Sequence, residues 1–260
     1  MNTLPEPVLN ELALAKNRLE NPGFTARLAH AVGKPIESLF SRLPGVMHKT
    51  LQAGTRSAVT KAVEIAVRSL GTNTMASKET WHKAAVGLTG GVGGAFGVAG
   101  LAVELPISTT LILRSIADIA RANGESLDQA EVRLECVRVL ALGSPAPGDD
   151  SVDAGYFASR AALAQMVAAS AQHVTAHGVS STGSPVLLKL ITEIASRFSI
   201  VVGEKAMAQA VPVVGALGGA AINTLFMTHF QEMAKGHFTI RRLERTYGET
   251  RIREAYQALP

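Results

Sequence analysis

Apolar residues recur along almost the whole chain at the three-to-four residue spacing of a helix, and nowhere with the strict alternation of a half-buried strand. Val8, Leu12, Ala15 and Leu19 share one face before Pro22, and Phe24, Leu28, Val32 and Ile36 resume a stripe behind it, which predicts helix, break, helix. From Val46 to Leu70 the period continues through Leu51, Ala58, Ile65 and Val67, and Gly71-Thr72-Asn73-Thr74 closes it with a loop. Ser77 is placed to cap the next helix, with Glu79 in the first turn, where the dipole favours negative charge.

Two stretches then lack charge altogether. Ala84 to Val103 and Ala206 to Thr228 are rich in small residues and about as long as a bilayer span of roughly 20 residues. Gly87/Gly91, Gly90/Gly94 and Gly93/Gly97 in the first, and Gly215/Gly219 in the second, have the spacing that lets helix backbones approach closely. Insertion into lipid is marginal. Val86, Leu88, Val92, Phe96, Val98, Leu101 and Val103 together favour it by only about 3 kcal/mol, and each glycine weakens the helix by up to about 1 kcal/mol relative to alanine. Gln209, Pro212 and Asn223 interrupt the second stretch. These are either tightly packed core hairpins or segments that insert reversibly.

Pro106 cannot continue a helical hydrogen-bond ladder, so a turn or kink is expected at Glu104-Leu105-Pro106, with a fresh helix from Ile107 to Ala122 stopped by Asn123-Gly124. Asp128 with Glu131 three residues on has the form of a capping box, flanked by Leu127 and Val132 as a hydrophobic staple. That helix is expected to stop at Gly143, before the breaker cluster Ser144 to Asp150. An alanine-rich helix follows from Val152 and fades into the loop His177 to Pro185. Val186 to Ser199 is amphipathic, and Ile200-Val201-Val202 reads as its continuation. Phe230, Met233, Ile240, Leu243 and Tyr247 form a last stripe beside a row of arginines, ended by Gly248. The predicted fold is all-α: amphipathic helices over 1–75 continuous with a core over 76–260, in which two glycine-rich apolar hairpins pack together and a basic C-terminal helix lies outside.

Composition narrows the function. At 260 residues the chain is long enough to bury a sizeable core, and charged residues make up only 18%. The N-terminal stretch has acids and prolines where a secretory signal has a basic and then an apolar segment, so a cytoplasmic start is expected. The single cysteine, Cys136, suits a reducing compartment and a small buried apolar role. The net charge of +4 is concentrated near the end, in Lys235, Arg241, Arg242, Arg245, Arg251 and Arg253. Anionic headgroups attract such charges by about 1 kcal/mol each near a surface. Nucleic acid is not expected, because aromatic residues are only 5% and no recognition motif is present.

The candidate chemistry is sparse. Arg114 and Asp118 stand four apart, Arg121 follows, and Glu104 precedes them; with Lys205 and Asn223 they form either a structural ionic network or a polar site between helices. His173 and His177 share a helical face but have no third ligand, so no metal is expected. His30, His48, His82, His229 and His237 show no ligand or triad spacing. Gly90 to Gly97 fails as a nucleotide loop, since no strand precedes it, its third glycine is misplaced and no lysine follows. No cofactor and no catalytic residue is assigned.

Three blocks, Leu19 to Glu37, Glu104 to Glu125 and Glu204 to Gly248, resemble in order the bacterial EcsC protein family, over most of the chain apart from Val46 to Thr74 and Gly148 to Pro185. The resemblance implies a helical protein without an accepted catalytic residue, whose founding member is named for an operon that also encodes an ABC transporter. The hairpins also resemble, more faintly, the membrane-associated tails of some bacterial GTPases, but no P-loop accompanies them. The expected function is a membrane-associated accessory or regulatory protein at the inner face of the cell membrane. It would bind lipid or a membrane transporter through the hairpins and through Arg241, Arg242 and Arg245. The alternative is a hydrolase of lipid-like or peptide substrates with its site at Glu104, Arg114 and Asp118; the oligomeric state is not legible.

Overall fold

Val8, Leu12, Ala15 and Leu19 form the buried face of α1 (Glu6–Glu20), and Phe24 and Leu28 anchor α2 (Phe24–Val32). The computed structural model describes residues 4–20, 23–32, 45–70, 97–142, 156–178, 183–209 and 215–260. Along it follow α3 (Gly45–Arg68), α4 (Gly97–Ala122) and α5 (Ala130–Arg138), the last running into a 3-10 turn at Val139–Ala141. Then come α6 (Tyr156–His177), α7 (Pro185–Gln209), α8 (Gly215–Tyr247) and α9 (Glu249–Ala258). No strand occurs among the described residues. The fold is all-α, and Ile200-Val201-Val202 continues α7.

The centre of the assembly is α8. Its 33 residues extend about 50 Å and pack against α1, α2, α4, α7 and α9. A helix surrounded in this way buries positions on several faces: Ile222, Phe226, Phe230, Met233, Phe238 and Ile240 are buried, and so are the polar Asn223, His229, Gln231 and His237. Phe198 of α7 meets Phe230 edge-on at 5.5 Å, and Phe226 meets Phe230 at 5.1 Å, in the tilted arrangements that aromatic quadrupoles favour. The expected basic outer helix is corrected by this placement. The arginines 241, 242 and 245 ride on the last turns of a core helix, the first two half-buried and the third exposed.

The break at Pro106 is also corrected. α4 runs straight through it, from Gly97 to Ala122. Proline forfeits one backbone donor, but Leu105, Ile112, Leu113 and Ile116 are fully buried and α4 packs along α3, so tertiary burial outweighs the local cost. The Thr110 hydroxyl donates to the Pro106 carbonyl at 2.7 Å. The predicted end of this helix is found: α4 stops at Ala122, and Gly124 takes the left-handed conformation at φ 77°. Asp128, in contrast, does not cap α5. Gln129 occupies the cap without a side-chain bond, and Arg133 holds the turn by donating to the carbonyls of Leu127 at 2.9 Å and Asp128 at 2.8 Å.

Of the first charge-free stretch, 84–96 falls outside the described residues, as do the pairs Gly87/Gly91 and Gly90/Gly94, Gly93 and the Ser77 cap; 97–103 form the first turns of α4. The second stretch comprises the end of α7 and the start of α8, two helices joined through 210–214, which also lie outside the described residues. No helix among the described residues is long and apolar enough to cross a membrane.

A close backbone approach does occur, at a glycine the periodicity does not single out. A Cβ at Gly236 of α8 would stand 2.6 Å from Leu19 Cγ and 3.0 Å from the Ala15 carbonyl oxygen of α1. Gly236→Val is therefore expected to cost about 1–3 kcal/mol by overpacking, read as a lower urea midpoint. Adding Leu19→Ala should restore part of that loss; a midpoint unchanged by Gly236→Val alone would show that α1 yields freely.

Candidate functional site

Three helices deliver their most polar buried side chains to one place. On α5, Glu135 and Arg138 are both buried, at 3% and 2% side-chain exposure, and stand three residues apart, so they share a helical face and form an ion pair. From α8, His237 Nε2 approaches Glu135 Oε2 at 3.2 Å, and Arg241 Nη1 lies 3.8 Å from Glu135 Oε1. From the first turn of α6, the Tyr156 hydroxyl meets His237 Nδ1 at 2.8 Å. One tautomer satisfies both histidine contacts: Nε2–H donates to Glu135 and Nδ1 accepts from Tyr156.

These groups set one another's ionisation. Burial pushes the Glu135 carboxyl up, but Arg138, His237 and Arg241 more than offset it and hold the pKa at about 2. Burial holds His237 down at about 3 against the pull of Glu135, so its imidazole is neutral. It also raises the Tyr156 phenol to about 12, and it raises the Cys136 thiol. Cys136 is thus a buried, inert packing residue, as expected.

A pocket of about 330 Å³ opens on the outer side of this cluster, near the small end of ligand-binding cavities. Arg138, Arg160, Arg241 and Arg253, one from each of α5, α6, α8 and α9, line it together with Glu131, Glu135 and Glu249. One wall is apolar: Phe157, Ala161, Ala164 and Ala168 follow the helical repeat along a single face of α6. Arg160 donates to Glu244 at 2.7 Å and Arg241 to Glu125 at 2.8 Å. The guanidinium of Arg253 stands over the Phe157 ring at 5.5 Å, a cation–π placement. Nε of Arg138 is buried and has no acceptor. Glu131 and Glu249 occupy the first turns of α5 and α9, where the helix dipoles stabilise their charge.

The residues singled out from sequence are distributed differently. Glu104 and Lys205 do meet, in a fully buried pair at 2.6 Å, with the ammonium 4.5 Å over the Phe226 ring. Asp118 instead pairs with Arg121 at 2.9 Å, and Arg114 lies ten residues, about 15 Å, along α4 from Glu104. Asn223 is buried on α8. The set does not converge on one site. Arg242 is bound to Glu11 of α1, and Arg245 to Glu125 and, at 2.6 Å, to the Asn123 carbonyl; Arg241 alone of these three reaches the pocket. His173 and His177 stack at 4.3 Å, and no group of metal-ligating side chains occurs among the described residues.

No spacing in the sequence could join Glu135, Tyr156 and His237, since the hydrogen bonds between them span 81 and 102 positions. The one local signal is an acid and an arginine inside Leu134 to Leu140, a segment buried at every position.

A second histidine, His229, is also buried and held at about 3 by burial, assisted by Arg27. Unfolded histidines bind protons below their ordinary pKa of 6.5, whereas these two stay neutral until about pH 3. Stability is therefore complete above pH 6.5 and lost as the pH falls from there towards 3, by up to about 1.4 kcal/mol per pH unit for each ring. Neither His229 nitrogen has a partner, so His229→Leu is expected to fold and to halve the slope of denaturation free energy between pH 6.5 and 5. A slope as steep as the parent's would mean that His229 takes up its proton while folded.

The profile of the EcsC protein family matches residues 6–243. Neither a curated protein nor a solved structure gives a significant match.

Proposed function

With membership of the EcsC protein family as its premise, which the match over most of the chain establishes, we propose that the protein is an accessory or regulatory factor that works by binding at the inner face of the cell membrane, not by catalysis. The pocket carries this reading. Its lining consists of glutamate, arginine, phenylalanine and alanine, with no hydroxyl, thiol or amine to serve as a nucleophile. Glu135 is held well below neutrality by its cationic neighbours and is too weak a base to draw a proton from water. Four guanidiniums line the pocket, and that of Arg253, which forms no ion pair with a described residue, suits charge-assisted recognition of an anionic group such as a lipid headgroup or an acidic segment of a membrane transporter.

In this reading Arg241 is the part of the basic C-terminal row that meets the ligand. Arg242 and Arg245 are engaged by Glu11 and Glu125 and hold α8 to α1 and to the turn after α4. The hydrolase alternative gains no support, because Glu104 is occupied by Lys205 and Asp118 by Arg121.

Vesicle flotation tests the proposal. The full chain is expected to float with phosphatidylglycerol vesicles at low salt, to release as salt screens the attraction, and to remain behind with phosphatidylcholine. Failure to float with either lipid removes membrane binding; equal flotation with both removes the headgroup contact.

A further inference from the structure

The two sides of α3 differ in kind. Leu51, Ala58, Val59, Ala62, Val63 and Ala66 are buried where the helix packs against α4, α5 and α7, so its apolar side fixes it to the core. The opposite side is cationic. Lys49, Arg56, Lys61 and Arg68 are exposed, and Glu64 is the only acid in the 24 residues of α3. With 3.6 residues per turn, Lys49 and Arg56 fall along one edge of the exposed arc and Lys61 and Arg68 along the other, with the small side chains of Ala53, Ser57 and Thr60 between them. Lys61 meets Glu64 at 3.3 Å on the surface, a contact of little strength. Lys49, Arg56 and Arg68 form no ion pair with a described residue.

The helices packed against α3 do not supply the missing acids. Glu104, Asp118 and Glu135 are paired with Lys205, Arg121 and Arg138, and Glu204 accepts from Thr25 at 2.9 Å. Glu131 and Glu193 form no ion pair with a described residue. Arg241, Arg242 and Arg245, in contrast, are each engaged by a glutamate. Among the described residues no other helix carries three exposed cations without an ion pair.

We infer that the cationic side of α3 is the surface by which the protein lies against an anionic lipid bilayer, with the helix axis along the membrane plane. A helix about 36 Å long, with cations on both edges of a strip of small residues, matches a plane of anionic headgroups. Nucleic acid fits less well, because α3 has no aromatic residue on which a base could stack. The contact is superficial and electrostatic, as suits a chain in which no described helix is long and apolar enough to cross a membrane. This inference rests on the membrane role proposed above and gives that role a surface outside the pocket.

Sedimentation of the full chain with sucrose-loaded vesicles of equal parts phosphatidylglycerol and phosphatidylcholine is the test. Each cation close to such a surface raises partitioning about five-fold, so Lys49→Gln, Arg56→Gln and Arg68→Gln combined should lower it about a hundred-fold. The charge-keeping set Lys49→Arg, Arg56→Lys and Arg68→Lys should stay within about two-fold of the parent, since attraction to a surface needs charge and not a particular fork. All three positions are exposed, so both sets should keep the parent's urea midpoint. Equal loss of binding in both sets overturns the assignment, as does tighter binding of the parent to duplex DNA than to the vesicles. If the glutamine set partitions like the parent while the parent binds phosphatidylglycerol vesicles, this inference falls and the membrane role stands; if the parent binds no anionic vesicle, both fall.

Discussion

Glu135→Ala is expected to destabilise the fold by about 3–5 kcal/mol, the usual cost of leaving a buried charge without its partner. The carboxylate pairs with Arg138 and Arg241 and accepts from His237. Its removal strands an arginine at 2% exposure in a wall of α5 where every position from Leu134 to Leu140 is buried. Adding Arg138→Met removes the stranded charge, so the double variant should recover a large part of the loss, and the two substitutions should be strongly non-additive. Urea denaturation of the four chains closes the cycle. Additive losses would mean that water enters the pocket and solvates Arg138, and that the ion pair contributes little.

The second large effect belongs to Glu104 and Lys205. Burial pulls the Lys205 ammonium down in pKa while Glu104 pulls it up, and one carboxylate oxygen, Oε2 of Glu104, has no hydrogen-bond partner. Lys205→Met or Glu104→Leu alone should each cost about 3–5 kcal/mol, because each leaves the opposite charge buried. The double replacement should be close to neutral, or stabilising by about 1–4 kcal/mol, since two desolvated ions give way to apolar packing against Phe226. Thermal denaturation of the three variants decides the matter. A double variant as unstable as either single one would assign the pair a role in fixing how α4 and α7 align.

Both predictions concern contacts of very different visibility in the sequence. Glu104 and Lys205 stand out because each borders a charge-free stretch, where an ion must find a partner; their pairing is legible although 101 positions separate them. Arg114 and Asp118 group with them only by proximity along the sequence. Helix geometry separates that group, and Arg121 at i+3 is the better-placed partner for Asp118. The arginines 241, 242 and 245 read as one basic surface, yet each is drawn to an acid on another element: Arg241 to Glu125, Arg242 to Glu11 and Arg245 to Glu125. Composition reveals a row of charges and hides the acids that oppose it.

Helical periodicity by itself determined that this chain is all-α, which face of α1 is buried, that Phe24 and Leu28 anchor α2, and where α4 and α8 stop, because amphipathic spacing and glycine stops act within a few residues. Tertiary structure decided what local rules could not: that Pro106 is carried inside a helix, that Arg133 replaces Asp128 in holding the start of α5, that α8 is the core and not the rim, and that Glu135, Tyr156 and His237 meet beside an arginine-lined pocket. The physical reason is range. Propensity and capping contribute about 1 kcal/mol over one turn, whereas burial and charge pairing act between elements a hundred residues apart and outweigh them wherever the two conflict.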